Sequence, residues 1–302
     1  MRRWLLPGLL LMGAVYPLWL GWLTPDVSAL VSWTPPRTRF MLLRAEELGV
    51  PEDTYVVRQT PLERLSPLLV CAVVKAEDRG FFQHAGVEWK TLGRAARAWL
   101  GGDARHGGST LTQQLARNLY LSPERTVHRK LREVWLSRAL EAALSKRRLL
   151  ELYLSTVEWG EGVWGAEAAS LHYFGKPPDT LDAFEASFLS SLLAAPRRAL
   201  TGNNAQRALT AQTRVLSQLL ASGLVSPREQ THALMRMDLL HAGLARGESF
   251  HTALGGAHVP AVDVEAFSAT LPSMDEVLRD ACGRARELAK AAAASEVLGR
   301  EH

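Results

Sequence analysis

The stretch VVKAEDRGFFQHAGVEW, residues 73–89, decides how this chain is read. Ser66-Pro67 opens a helix, since proline at the first helical position gives up only an N–H that has no partner there. The run LLVCAVVKAED that follows turns Val70, Val73 and Val74 toward a core, with Glu77 one turn beyond Val73 on the same side. A carboxylate on the apolar side of a helix is partly desolvated, which raises its pKa toward that of a usable base. A lone Glu at a helix end is ordinarily a solvated charge, so the case rests on its neighbours. Asp78 follows directly, Phe81 and Phe82 pack the turn beneath, and His84 reads as a structural hydrogen-bonding group.

Working outward, GGSTLTQQLARNLYL at 107–121 opens a helix on glycines, where unpaired N–H groups form an anion site. Gln113, Gln114 and Arg117 follow on the helix and supply donors suited to sugar or phosphate oxygens. Next comes ERTVHRKLREVW at 124–135, in a helix expected over 123–144 from Ser122-Pro123. Arg125, Arg129 and Glu133 recur every fourth residue with Lys130 beside them, while Val127, Leu131, Val134 and Trp135 form the expected core stripe. The cationic stripe reads either as a solvated face or as a cradle for a diphosphate with an acid set in it. Between these motifs, residues 87–106 carry Trp89, Lys90, Arg94, Arg97 and Trp99 among glycines. They read as a membrane-touching flap or as a surface helix and loop.

The bulk properties agree without adding detail. A chain of 302 residues, 47% hydrophobic, holds one sizeable core, and a net charge of +4 suits a phosphate-bearing substrate or an anionic surface. Cys71 and Cys282 fit no metal spacing, and nothing in the sequence pairs them. Trp4 to Leu23 is an uncharged run of the ~20 residues that span a bilayer, with Arg2 and Arg3 ahead of it. It reads as a retained transmembrane anchor with the rest of the chain outside; a cleaved signal peptide ending near Ala29 is the alternative.

The remainder reads as helical. Residues 24–54 form a proline-bearing linker, and Thr60-Pro61-Leu62-Glu63 is a capping box. Helices follow at 146–157, after the glycine-broken 158–165, from Asp182…Glu185, over 205–222, from Ser226…Glu229, and over roughly 273–298 from Ser273…Glu276. No strand is expected. The domain reading is 1–23 stub and anchor, 24–54 linker, 55–235 catalytic domain and 236–302 a helical extension of unassigned role.

EDRGFFQHAG, GGSTLTQQLARN, RKLRE, LLELYLS and EASFLSSLLAAP together resemble the five motifs of the peptidoglycan glycosyltransferase domain. That domain occurs in bifunctional penicillin-binding proteins and in monofunctional membrane-anchored transglycosylases, and EWGEGVWGAEAASLHYFGK is most similar to the latter. The resemblance implies an all-α, lysozyme-like, two-lobed domain behind a transmembrane helix, single-pass in the cytoplasmic membrane, facing the periplasmic side. It implies polymerisation of lipid II into β-1,4 glycan strands, with Glu77 as general base and Glu133 as the second essential acid. Asp78, Ser109, Thr110, Gln113, Gln114, Arg117, Arg125, Arg129 and Lys130 would bind substrate. It implies no required cofactor, with room for a divalent cation (Mg or Mn) by the diphosphate. The implied partners are lipid II, the growing strand, the membrane and cell-wall synthesis proteins, with no nucleic acid.

Three positions depart from the family pattern. Arg117 stands where lysine is usual, Ser155 where asparagine is usual, and no Asn-Pro pair follows Ala195-Pro196. Ser-x-x-Lys, Ser-x-Asn and Lys-Thr-Gly are all missing, which excludes the transpeptidase chemistry of bifunctional relatives. A lysozyme-like lytic enzyme and a non-catalytic lipid II-binding scaffold are the rival readings.

Overall fold

Helices make up nearly every regular element, as the apolar periodicity of the sequence requires. In chain order they are α1 (Arg39–Leu48), α2 (Pro67–Glu77), α3 (Trp89–Leu100), α4 (Leu111–Tyr120), α5 (Val127–Ala143), α6 (Lys146–Thr156), α7 (Ala166–Phe174), α8 (Ala183–Leu192), α9 (Gly202–Ala221), α10 (Pro227–Ala245) and α11 (Phe250–Gly256). This computed structural model describes residues 19–22, 24–100, 108–124, 126–198, 200, 202–256 and 273–282.

Two helices are apolar all round and so take the centre. Leu68 through Lys75 of α2 and the whole of α8 are buried, and the two pack on each other, with α9 and α10 laid against them. The serines of α8 are tolerated there because Ser187, Ser190 and Ser191 each return a hydroxyl hydrogen bond to the carbonyl three residues earlier. Beside this pair, α4 packs on α5, α6 and α1. The expected boxes Asp182…Glu185, Ser226…Glu229 and Ser273…Glu276 all cap as read.

Elsewhere the structure corrects the reading. The stretch 24–54, taken as irregular, holds α1, capped by the Thr38 hydroxyl on the Met41 N–H at 3.2 Å and ended by Gly49. Its prolines flank the helix rather than interrupt it. Thr60-Pro61-Leu62-Glu63 forms only a 3₁₀ turn, because the Thr60 N–H is taken by Ser155 Oγ at 3.1 Å. Ser155 is therefore used where asparagine is usual. A short antiparallel hairpin appears where no strand was expected, β1 (Glu158–Gly160) with β2 (Val163–Trp164). It lies flush on the end of α6 at Gly165, whose φ of 83° suits glycine and where a Cβ would come within 2.8 Å of the Ser155 carbonyl.

The largest correction concerns α5. It starts at Val127 on a Thr126 cap, not at Pro123, and its buried residues are Glu133, Leu136, Ser137 and Leu140. Val127 and Leu131, read as core, are 64% and 46% exposed. The helix carries two apolar stripes, and the one sharing its face with the charged residues turns inward. Part of the outer face is covered by the N-terminal arm, where the Trp135 indole donates to Thr24 Oγ1 at 2.9 Å. Among the described residues no helix is long and apolar enough to cross a membrane. The run Trp4–Leu23 lies outside the described residues apart from the helical turn 19–22.

Past α11, residues 273–282 return to the core. Val277 is buried, Asp275 pairs with Arg147 at 2.8 Å, and Cys282 is disulfide-bonded to Cys71 of α2, their Cα atoms 5.3 Å apart. The rest of the helix read at 273–298 lies outside the described residues.

Candidate active site

Glu77 is the last residue of α2, whose backbone leaves the helix at Asp78. The two acids then part. Both Asp78 oxygens lie 3.0 Å from His84 Nε2, and Oδ2 also accepts the Leu111 N–H at 3.0 Å. Leu111 is the first residue of α4, so the anion at this helix start is the chain's own Asp78 carboxylate. The site expected there for a ligand is used internally. Thr110 and Gln113 are likewise committed: Thr110 caps α4 and donates to the Gly86 carbonyl at 2.6 Å, and the buried Gln113 accepts the Thr110 N–H at 3.1 Å.

The turn after Glu77 is held on all sides. Lys146 donates to the His84 carbonyl at 2.7 Å and sits over the Phe81 ring at 4.4 Å. Gly86 has φ 84°, and a Cβ there would meet the Ser137 carbonyl of α5 at 2.8 Å. Gly86→Ala is expected to lower stability by about 1–3 kcal/mol, the cost of one strained residue, read as a shift in urea midpoint.

Gln114 reaches Glu77. Its Nε2 donates to Glu77 Oε2 at 2.7 Å, and its Oε1 accepts from the Tyr153 hydroxyl at 2.9 Å. Burial raises the Glu77 pKa above its usual value and Asp78 adds to this, while the Gln114 hydrogen bond and the Arg117 charge pull it down. A raised carboxyl at a partly open position is the condition for a general base.

The second acid lies in a nest of cations. Glu133, 1% exposed, is ion-paired to Arg129 and Lys130, and Lys130 Nζ also donates to Ser109 Oγ at 2.8 Å. Burial lowers the Lys130 pKa, and the charges of Arg129 and Arg117 press in the same direction against the pull of Glu133. Glu77 and Lys130 border one helix through Gln114 and Ser109, and the same helix carries Arg117. Its guanidinium lies 5.7 Å from the Phe40 ring of α1, a neighbour the sequence did not announce. The buried Nε atoms of Arg117 and Arg129 have no hydrogen-bond partner among the described residues. Arg125 lies outside the described residues.

Of the sequence-derived set, then, Gln114 and Arg117 lie on α4 with Glu77 bonded to Gln114, Ser109 just before it bonds Lys130 of the Glu133 nest, and Asp78, Thr110 and Gln113 brace its start. Tyr153 was missed. Its signal was a hydroxyl inside the apolar run LLELYL, where a buried phenol must find a partner.

Comparison with known proteins shows the family. The family model described as Transglycosylase covers residues 47–220, and the chain belongs to that family. A biosynthetic peptidoglycan transglycosylase of Azoarcus sp. (strain BH72) is 42% identical over 199 residues, 65% of this chain and 86% of that protein. One of the same name from Nitrosomonas eutropha is 39% identical over 219 residues, 72% of this chain and 90% of that protein. Penicillin-binding protein 1A of Aquifex aeolicus is 35% identical over 215 residues, 70% of this chain but only 29% of its own length.

Proposed function

We propose that this transglycosylase is a peptidoglycan glycosyltransferase that polymerises lipid II into β-1,4 glycan strands. Glu77 takes the proton from the acceptor's sugar 4-hydroxyl as that oxygen bonds to the donor's anomeric carbon. The bond from that carbon to the diphosphate breaks with its electron pair leaving on the diphosphate, so the anomeric centre inverts. A diphosphate leaves as a stable anion and needs cations more than a strong acid. Arg117, Arg125, Arg129 and Lys130 provide them, and Glu133 holds two of them in place. Asp78, Thr110 and Gln113 keep the start of α4 in register with the base.

The observation that carries this reading is that α4 and the residues just before it meet both acids' surroundings: Gln114 donates to Glu77 at 2.7 Å, and Ser109 accepts from Lys130, an ion-pair partner of Glu133, at 2.8 Å. A lytic enzyme would instead aim a second carboxyl at the glycosidic oxygen. Glu133 has both oxygens engaged by Arg129 and Lys130. Among the described residues no cluster of His, Cys, Asp or Glu is arranged to hold a metal ion, and no step is assigned to a divalent cation.

Location follows the same logic. The Cys71–Cys282 disulfide fits an oxidising compartment, and the uncharged run Trp4–Leu23 fits a single-pass anchor holding the domain at the outer membrane face. On this reading α3, with Trp89 59% exposed, belongs to a second lobe that touches the lipid.

Purified protein given lipid II is expected to form glycan polymer and to leave finished sacculi uncut. Soluble muropeptides without polymer would turn the assignment toward the lytic rival. Lys130→Ala and Arg125→Ala are each expected to weaken lipid II binding by roughly 10- to 100-fold, the loss of one charge-assisted hydrogen bond. Wild-type affinity in both would move the diphosphate site elsewhere.

A further inference from the structure

Tyr153, in the middle of α6, is wholly buried, and its hydroxyl has found a side-chain amide rather than a backbone carbonyl. That amide is Gln114, whose other end touches the base. The direction of both bonds is dictated by chemistry. An ionised carboxylate only accepts, so Gln114 must turn its NH₂ toward Glu77 and its oxygen toward Tyr153, and the phenol must donate. Burial holds the Tyr153 phenol well above its usual pKa, with the Glu77 charge pushing the same way, so its proton stays in place.

We propose that Tyr153 is a positioning residue of the transfer reaction, locking the Gln114 amide so that Glu77 is fixed in one rotamer with Oε2 engaged. The oxygen left to take the sugar's proton is then Oε1. Gln114 by itself is partly open to solvent, and the terminal torsion of a glutamine is broad. Without the phenol the amide is free to turn its oxygen toward the carboxylate, which repels the base instead of orienting it. The 2.9 Å and 2.7 Å bonds form an unbroken path from the core of α6 to the end of α2. This inference rests on the reading of Glu77 as general base.

The test is Tyr153→Phe, alone and combined with Gln114→Leu, in the full-length membrane protein with lipid II. The single change keeps the ring and removes only the hydroxyl. We expect kcat to fall roughly 10- to 100-fold with KM nearly unchanged, as for a reacting group that is slightly misplaced. The acidic limb of kcat/KM should move to higher pH, since Glu77 loses a hydrogen bond that favours its charged form. Gln114→Leu should shift the limb the same way, which keeps the test open if Tyr153→Phe folds poorly. On the Gln114→Leu background, Tyr153→Phe should add nothing, because it acts through that amide. An unmoved limb, or full additivity of the two changes, overturns the proposal. Activity of Glu77→Gln separates the two failures. If that variant is inactive while the limb stays put, only the relay is wrong; if it is active, the base itself is wrong.

Discussion

Glu77→Gln protein is expected to polymerise lipid II about 10²–10⁴-fold more slowly than wild type while binding it with similar affinity. Glutamine keeps the size of the side chain and an oxygen for the Gln114 N–H, so what disappears is the capacity to take a proton. Unchanged strand synthesis would remove Glu77 from the role of base. A second consequence concerns stability, and its sign is fixed by linkage. Glu77 has a folded pKa above its ordinary value, chiefly through burial. The stability such a group contributes is complete below its unfolded pKa and is lost as pH rises through the folded one. Above that folded pKa the ionised carboxylate therefore weighs against the fold. Glu77→Gln should melt higher than wild type above that folded pKa, and the gap should narrow as the pH falls from it and be closed once the pH is below the ordinary carboxylate value. A buried charge that costs stability is a common result of placing it where chemistry would need it.

The sequence revealed the acid at 77 and the helical class because each is a local matter. An apolar run of helical length ending in Glu-Asp needs no distant partner to be recognised. What it hid depended on contacts between remote segments. Asp78 was read as touching substrate, yet its carboxylate meets an N–H 33 residues on, and no local pattern encodes that pairing. The glycines before Leu111 read as an anion site, correctly in kind, but the anion belongs to the chain. On α5 the error was one of face. Val127 and Leu131 are as apolar as Leu136 and Leu140, so periodicity alone left two candidate stripes. Burial of the charged side was decided by the ion pairs of Glu133, which make an inward carboxylate tolerable. Phe40 was silent for the same reason, since a phenylalanine after a proline-rich stretch is ordinary on its own, and the Tyr153 hydroxyl announced a partner without naming it.

Removal of the Cys71–Cys282 bridge by Cys71→Ala with Cys282→Ala should lower unfolding free energy by about 3–5 kcal/mol. The link joins residues 211 apart in sequence, and closing so long a loop restricts the unfolded chain strongly. Loop entropy alone gives about 5 kcal/mol, and relaxation at the cut ends reduces it. The location sharpens the expectation. Cys71 lies wholly buried in α2, the helix that presents Glu77, and Cys282 closes a segment whose ion pair, Asp275 with Arg147, is exposed and of little strength. With the bridge gone, Val277 with the partly buried Met274 and Leu278 is, among the described residues, the apolar hold on that segment, so it should become the first part to exchange its amide protons. Urea unfolding of the double variant beside wild type measures the free energy, and hydrogen exchange over 273–282 locates it. A loss under about 1 kcal/mol, the size of an ordinary surface change, would mean that the segment is carried by the fold rather than fastening it. Strand synthesis assayed well below the melting range should fall far less than stability, because the hydrogen bonds that aim Glu77 come from α4 and α6 and not from the bridged segment.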